Sequence, residues 1–251
     1  VANGCTRFAS AIEAVIEVDA VVTMLPNGGI VDAFYHDHVF GHAPTTAILI
    51  DCSTIDVGTA RSVAEHASAA GYAMVDAPVS GGIAAANAGS LTFMVGGEPQ
   101  AFTSAQPILT VMGKAVIHAG KAGAGQAAKI CNNMILGATM IATCEAFAMA
   151  EKLGLDLQTF YDISSKASGQ SWSMTSYCPV PGVGPATPAD NDYAGGFATA
   201  LMLKDLRLAM EAAHGAGATV PMGERAAALY EAFAQSGSGS LDFSAIIKTF
   251  A

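Results

Sequence analysis

The sequence predicts an α/β fold in which a mostly parallel sheet is followed by an all-α C-terminal half. Up to residue 119, short apolar runs alternate with amphipathic helical segments, and from residue 120 onward the spacing is helical. Between residues 126 and 150 there is no proline and a single glycine, as in a long helix. Alternating strands and helices imply right-handed crossovers between parallel strands. We therefore expect two domains, residues 1–119 and 120–251.

The first domain contains five predicted strands. Residues 19–25 form a near-continuous apolar run that ends before Pro26, which is typical of a buried parallel strand. The other predicted strands are residues 47–51, 72–75, 91–95 and 115–118. Helices are predicted from residue 28 to about 35, from 57 to 70 and from 99 to 111.

The second domain is organised around one long helix, in the stretch from residue 120 to residue 154, that closes at Lys152 and Gly154. Further helices are predicted over residues 157–167, around Trp172, and over residues 198–213 and 222–234. A Pro- and Gly-rich segment, residues 178–196, is either a functional lid or a packed irregular loop.

Composition and charge exclude several classes of protein. With 52% apolar and 13% charged residues, the chain of 251 residues can bury a large core. A net charge of -10 with only 11 Lys and Arg residues argues against nucleic acid or an anionic membrane as a partner. The long helix is apolar enough to resemble a membrane span, but it carries Asn132, Asn133 and Glu145, which favour burial between protein layers.

Cysteine and histidine usage indicates neither disulfides nor metal. The five cysteines are widely spread and never form a CxxC pair, which fits a reducing compartment, the cytoplasm or the mitochondrial matrix of a eukaryote. His36, His38 and His42 fall in a predicted polar loop without a second cluster, so we expect a solvated loop and no metal.

Lys129 is the first candidate for chemistry. It lies four residues before Asn133 on the predicted long helix, so both side chains point from one face. That face is otherwise uncharged and rich in alanine, and a buried amine there must be paired or functional. The alternative is a lysine whose ammonium reaches water at the helix start.

Three predicted strands end in loops that should face one edge of the sheet, where open parallel sheets bind ligands. Leu25 and Pro26 offer an apolar wall for a flat ring, or form a plain strand exit. Thr54 either donates to a ligand or caps the following helix. Ser80, Gly81 and Gly82 offer a hydroxyl and close backbone N–H groups for a carboxylate, or form a tight turn.

Two further candidates lie in the helical half. Lys204 emerges from an apolar stripe beside Asp205, so it either binds a ligand or forms a structural ion pair. Trp172 is either a pocket wall or a core residue.

As a set, six motifs resemble the 3-hydroxyisobutyrate dehydrogenases of the β-hydroxyacid dehydrogenase family: DAPVSGG, GAGQAAKICNN, GQSWS, YCPVPGV, DYAGGF and LMLKDLRLA. The likeness runs over residues 4–250. It implies a Rossmann-like NAD-binding domain, an all-α C-terminal domain involved in forming a homo-oligomer (dimer or tetramer), and an active site where the long helix joins them. The implied reaction is the reversible oxidation of 3-hydroxyisobutyrate to methylmalonate semialdehyde in valine catabolism.

The resemblance also assigns roles to residues. It implies Lys129 as the catalytic general acid and base. The substrate contacts that it implies are Ser80, Gly81, Gly82 and Asn133, with Trp172 placed beside them as pocket wall. Leu25, Pro26, Thr54 and Lys204 fall at cofactor-contact positions.

The chain departs from the family at its start, because the first βαβ unit with its GxGxxG loop is absent. We expect an N-terminal truncation. Related sugar-acid decarboxylating dehydrogenases have a histidine where Asn132 stands, which favours a small hydroxy acid without decarboxylation. The alternatives are a tartronate semialdehyde reductase, a Schiff-base lyase using Lys129, and an inactive module that only oligomerises.

Overall fold

The computed structural model describes residues 4–250, in two units of which the first ends at Lys129 and the second begins at Ile130. The described part of the first unit is built on a six-stranded sheet. Its strands are β1 (Ala20–Thr23), β2 (Ile48–Asp51), β3 (Ala73–Asp76), β4 (Val79–Ser80), β5 (Leu91–Gly96) and β6 (Gly113–Gly120). Strands β1, β2 and β3 are parallel, and their last residues, Thr23, Asp51 and Asp76, are paired in register.

The sheet is mixed, because β5 runs antiparallel to β3 and β4, while β6 is parallel to β5. The chain continues from β3 through Pro78 into β4, and the Pro78 carbonyl accepts from the Met94 N–H at 3.0 Å. The ends of β3, β5 and β6 meet, since Gly96 pairs with both Asp76 and Gly120. The prediction of a mostly parallel sheet followed by helices is confirmed, and the reversal at β5 is its exception.

Five helices accompany these strands: α1 (Ala11–Val15), α2 (Gly28–Phe34), α3 (Val57–Ala69), α4 (Gly82–Asn87) and α5 (Pro99–Met112). Asn27 caps α2 by accepting from the Ile30 N–H, and Asp56 caps α3 by accepting from the Thr59 N–H. Helix α2 continues into a π-helical turn, Tyr35–Val39. The prediction of a polar loop at His36 and His38 was therefore wrong, since buried Tyr35 and Val39 hold that turn on the core.

The second unit contains most of α6 (Ala124–Lys152) with α7 (Leu157–Ser164), α8 (Trp172–Thr175), α9 (Thr199–Gly215) and α10 (Pro221–Phe233). Short 3-10 turns cover Pro188–Asn191 and Phe243–Thr249. The core lies between α6, α9, α10 and the last turn, where Met140, Leu206, Tyr230 and Phe243 are fully buried. Hydrogen bonds inside residues 178–196, such as Tyr193 Oη to the Pro179 carbonyl at 2.9 Å, favour a packed loop over a lid.

Helix α6 is the one helix of residues 4–250 that is long and apolar enough to cross a membrane by length and composition. Core helices commonly pass the same test, and 44% of its apolar window is buried. The polar side chains of Gln126, Lys129 and Asn133 are also buried within the protein. The burial of these polar side chains agrees with the interpretation of α6 as a core helix.

Candidate active site

The loops after β1, β2 and β3 lie at one edge of the sheet, because these strands are parallel and end in register. The loop after β1 presents apolar side chains there: Met24 is 67% exposed, Pro26 is exposed and Leu25 is partly buried. Thr54 lies in the loop after β2 and is also partly buried. The helix cap that the sequence offered as an alternative role for Thr54 is filled by Asp56.

A buried polar network holds the first two loops together. The Asp51 carboxylate accepts from Thr23 Oγ1 at 2.8 Å and from Ser53 Oγ at 2.6 Å. Ser53 Oγ in turn accepts from the Leu25 N–H at 2.8 Å. Burial raises the pKa of Asp51, and the hydrogen bonds from Ser53 and Thr23 oppose that shift. The backbone of Leu25 is thereby fixed to the end of β2.

The first turn of α6 is fixed to the end of β3. Asp76, itself buried, accepts from the Gly123 N–H at 2.7 Å and from the Gln126 N–H at 2.9 Å. Two N–H groups that the helix itself leaves unpaired are thus satisfied. Burial raises the pKa of the Asp76 carboxyl. Lys129 follows within the next turn and is 8% exposed.

The segment Ser80–Gly82 follows the same strand end. Ser80 is partly buried and closes β4, where it pairs with Thr92. Gly81 and Gly82 have φ angles of 134° and 66°, in the region that glycine adopts without strain. A Cβ at Gly81 would also meet the Ala85 side chain. This backbone shape therefore requires both glycines.

In the second unit, Asn133 is buried on α6 and held at both ends of its amide. Its Nδ2 donates to Asp205 Oδ2 at 2.6 Å, and its Oδ1 accepts from Asn132 Nδ2 at 3.0 Å. Lys204 Nζ lies 3.6 Å from Asp205 Oδ1, which is the ion pair considered from the sequence. The carboxylate of Asp205 orients Asn133. The sequence alone indicated Asp205 only as a neighbour of Lys204 on α9.

Trp172 opens α8 and is 49% exposed, so it is not a core residue. Its indole stacks on the Tyr177 ring with centroids 4.8 Å apart, and Tyr177 Oη donates to Asp242 Oδ2 at 2.9 Å. The stack leaves the second face of the indole free of the Tyr177 ring.

The predicted site residues divide between the two units. Lys129 belongs to the first unit together with the residues of the three strand-end loops: Leu25, Pro26, Thr54, Ser80, Gly81 and Gly82. The second unit holds Asn133, Trp172 and Lys204. Lys129 and Asn133 are joined by one continuous helix, on which their spacing of four residues gives them a common face.

One group of described residues has the composition of a metal site. A ligating atom from each of Asp32, His36 and His66 lies within 4.8 Å of the other two, on the protein surface. His38 and His42, which accompany His36 in the sequence, are not part of it. The group lies at the end of α2 and on α3, while the strand-end loops precede those helices.

Known proteins resemble both halves of the chain. A family described as the NAD-binding domain of NADP-dependent 3-hydroxyisobutyrate dehydrogenase matches residues 123–250, and the NAD-binding domain of 6-phosphogluconate dehydrogenase matches residues 1–120. A probable 3-hydroxyisobutyrate dehydrogenase of Mycobacterium tuberculosis is 50% identical over 248 residues, which are 99% of this chain and 84% of the relative. An NAD-dependent L-serine dehydrogenase of Pseudomonas aeruginosa is 43% identical over 252 residues, 100% of this chain and 85% of the relative. The solved M. tuberculosis 3-hydroxyisobutyrate dehydrogenase with L-serine superposes with a TM-score of 0.91 at 50% identity, covering 96% of this chain and 82% of that one.

Proposed function

The chain belongs to the 3-hydroxyisobutyrate dehydrogenase family of NAD-dependent oxidoreductases, and we propose that it oxidises 3-hydroxyisobutyrate to methylmalonate semialdehyde with Lys129 as its catalytic residue. The observation that carries the proposal is the buried Lys129, on a helix turn that Asp76 fixes to the strand ends. A positioned amine in a dry environment is suited to move a proton.

The residues at the strand ends fit the nicotinamide end of NAD. Met24, Leu25 and Pro26 form an apolar surface at the ligand-binding edge of the sheet, and Thr54 adds a hydroxyl. We assign Leu25, Pro26 and Thr54 to cofactor binding, with Lys204 as a further contact from α9. The chemistry that NAD supplies when bound is acceptance of a hydride from the alcohol carbon.

Lys129 takes the proton of the primary alcohol during oxidation and returns it during reduction of the aldehyde. Its ammonium form also stabilises negative charge that develops on the oxygen. The Ser80 hydroxyl donates a hydrogen bond to the substrate carboxylate, and the backbone N–H groups of Gly81 and Gly82 complete this carboxylate cradle. Asn133, held by Asp205, orients the alcohol. Trp172 forms one wall of the substrate pocket.

L-serine is a second candidate substrate, because one relative is named an L-serine dehydrogenase and a related structure was solved with L-serine. Both compounds place a primary alcohol one carbon away from the carbon that bears the carboxylate. The proposed cradle and Lys129 recognise only those two groups, so the substituent on the middle carbon decides between them. The comparisons do not favour a tartronate semialdehyde reductase.

We expect the full-length protein to reduce NAD when it is given 3-hydroxyisobutyrate, with turnover followed by the near-ultraviolet absorbance of the reduced nicotinamide. L-serine measures the second candidate, and a 2-hydroxy acid such as lactate serves as the control. A higher kcat/KM for L-serine would reassign the substrate. Turnover of lactate alone would contradict the proposed geometry, and a lack of any NAD effect on the thermal unfolding of the full-length protein would contradict cofactor binding.

Ser80→Ala is expected to raise the KM for 3-hydroxyisobutyrate by about 10- to 100-fold, because a hydrogen bond to a charged group is worth about 1.5–3 kcal/mol. The turnover number should change less, since Lys129 is untouched. The matched control is Ser90→Ala, which removes an exposed hydroxyl from the same unit. An unchanged KM in Ser80→Ala would remove Ser80 from the carboxylate cradle.

We further propose that the chain forms a homo-oligomer, a dimer or tetramer, through its all-α domain, residues 120–251. Ile135 and Met149 on α6, and Leu153 directly after it, are large apolar side chains that remain exposed in the single chain. We propose a reducing compartment, the cytoplasm or, in a eukaryote, the mitochondrial matrix. All five cysteines are free, which agrees with that location.

A further inference from the structure

Gln126 is fully buried in the first turn of α6, and its side chain forms hydrogen bonds to the loop after β2. Its side-chain Nε2 donates to the Ser53 carbonyl at 2.7 Å, and its Oε1 accepts from the Ile55 N–H at 3.1 Å. Its backbone N–H donates to Asp76. One amide side chain therefore clamps the backbone on both sides of Thr54.

The clamp continues into the loop after β1. Ser53, whose carbonyl receives the Gln126 amide, accepts from the Leu25 N–H through its own hydroxyl. Ser53 Oγ also donates to Asp51, and both residues are 1% exposed. A chain of buried hydrogen bonds thus connects Leu25, the Thr54 loop and the start of α6. Such networks are rigid when every member is satisfied.

The same helix turn carries the proposed catalytic lysine. Gln126 and Lys129 are three residues apart on α6 and are neighbours on one face. Any shift of the first turn therefore moves Lys129 relative to Leu25 and Thr54. A displacement of about 1 Å costs about 100-fold in rate when a catalytic group must meet a bound reactant.

We propose that Gln126 is a positioning residue that couples the cofactor-contact loops at Leu25 and Thr54 to Lys129. This inference rests on the function proposed above for Lys129. The side-chain amide uses both of its polar groups: its Nε2 donates to the Ser53 carbonyl, and its Oε1 accepts from the Ile55 N–H. A carboxylate of the same size, as in glutamate, supplies only the acceptor at neutral pH.

Gln126→Glu tests the donor alone. An ionised carboxylate accepts from the Ile55 N–H but faces the Ser53 carbonyl without a proton, whereas the protonated acid restores the donor. Burial raises the pKa of a carboxyl group, so protonation falls in an accessible pH range. At pH about 8 we expect the kcat of Gln126→Glu to be about 100-fold below that of wild type. As the pH is lowered, the ratio of the variant's kcat to the wild-type kcat should rise.

Gln126→Leu removes both bonds and should lose turnover without recovery at low pH, with a weaker affinity for NAD measured by titration. Gln106→Glu, a matched change on the exposed face of α5, controls for the added charge. The inference is overturned if the ratio of the Gln126→Glu kcat to the wild-type kcat does not change with pH. It is also overturned if Gln126→Leu keeps the wild-type kcat and NAD affinity. Inactive wild-type protein would instead refute the proposed function, and the NAD titrations would still decide the coupling to the loops.

Discussion

Lys129→Ala is expected to lower kcat by about 100- to 10,000-fold, the range that a positioned general acid or base contributes. The lysine is 8% exposed, so no bulk water replaces it readily as the proton carrier. NAD should still bind, because the apolar surface at Leu25 and Pro26 and the hydroxyl of Thr54 remain. Steady-state assays with 3-hydroxyisobutyrate, together with NAD titration of each variant, measure the two effects separately.

Two controls accompany this prediction. Lys121→Ala removes the same charge from an exposed position just before α6 and should leave turnover unchanged. Lys129→Arg keeps the charge but holds its proton, so it should be nearly as inactive as Lys129→Ala. Wild-type turnover in Lys129→Ala would remove the residue from its role. A substrate adduct of Lys129 trapped by borohydride would indicate Schiff-base chemistry instead.

The sequence predicted the parallel part of the sheet because apolar runs record burial on both faces. Residues 19–25 and 47–51 read as buried strands, and β1 and β2 lie inside those limits. Helix α6 was predicted from its lack of proline and from helical spacing. It begins four residues inside the predicted stretch, residues 120–154, and ends at Lys152. Local pattern was sufficient in both cases because the signal lies within one segment.

Strand direction at β5 was not predictable in the same way. The DAPVSGG segment was expected to form a loop, but Val79 and Ser80 pair with Phe93 and Thr92. This pairing belongs to β5, which runs antiparallel to β3. It joins residues more than ten positions apart, and neither the hydrophobic periodicity nor the strand propensity of a single segment encodes such a pairing. The helical turn at His36 was missed for a related reason, since its burial comes from packing on the core.

Sequence reasoning singled out Lys129 and Lys204 as candidates and did not single out the residues that hold the candidate site in place. Lys129 attracted attention because an amine on an apolar face is costly, whereas Gln126 is a neutral residue whose partners lie 71 and 73 positions away. Asp205 was noticed only as a neighbour of Lys204, although it also holds Asn133 across 72 positions. A useful signal was present for Gln126, namely its place three residues before Lys129 on the same helix face.

Gly125→Val is expected to have the largest effect on stability, because the start of α6 lies directly against the sheet. A Cβ at this position would overlap the Met94 carbonyl oxygen and lie 2.7 Å from Asp76 Oδ2 and 2.8 Å from the Asp76 carbonyl oxygen. Two of these three atoms are backbone, so they cannot rotate away. The third belongs to the carboxylate that accepts the Gln126 N–H.

Relief of the overlap therefore requires α6 to separate from β3 and β5, with loss of the hydrogen bonds at Asp76. We expect a destabilisation of more than about 4 kcal/mol, or a fall in Tm of more than about 10 °C, measured by thermal unfolding. The matched control is Gly29→Ala in α2, where the added Cβ lies 3.6 Å from Asn27 Oδ1, an ordinary contact, and should stabilise the helix slightly. A folded Gly125→Val protein with a Tm near that of wild type would show that α6 is not held against the sheet as described, and the positioning of Lys129 by that contact would fail with it.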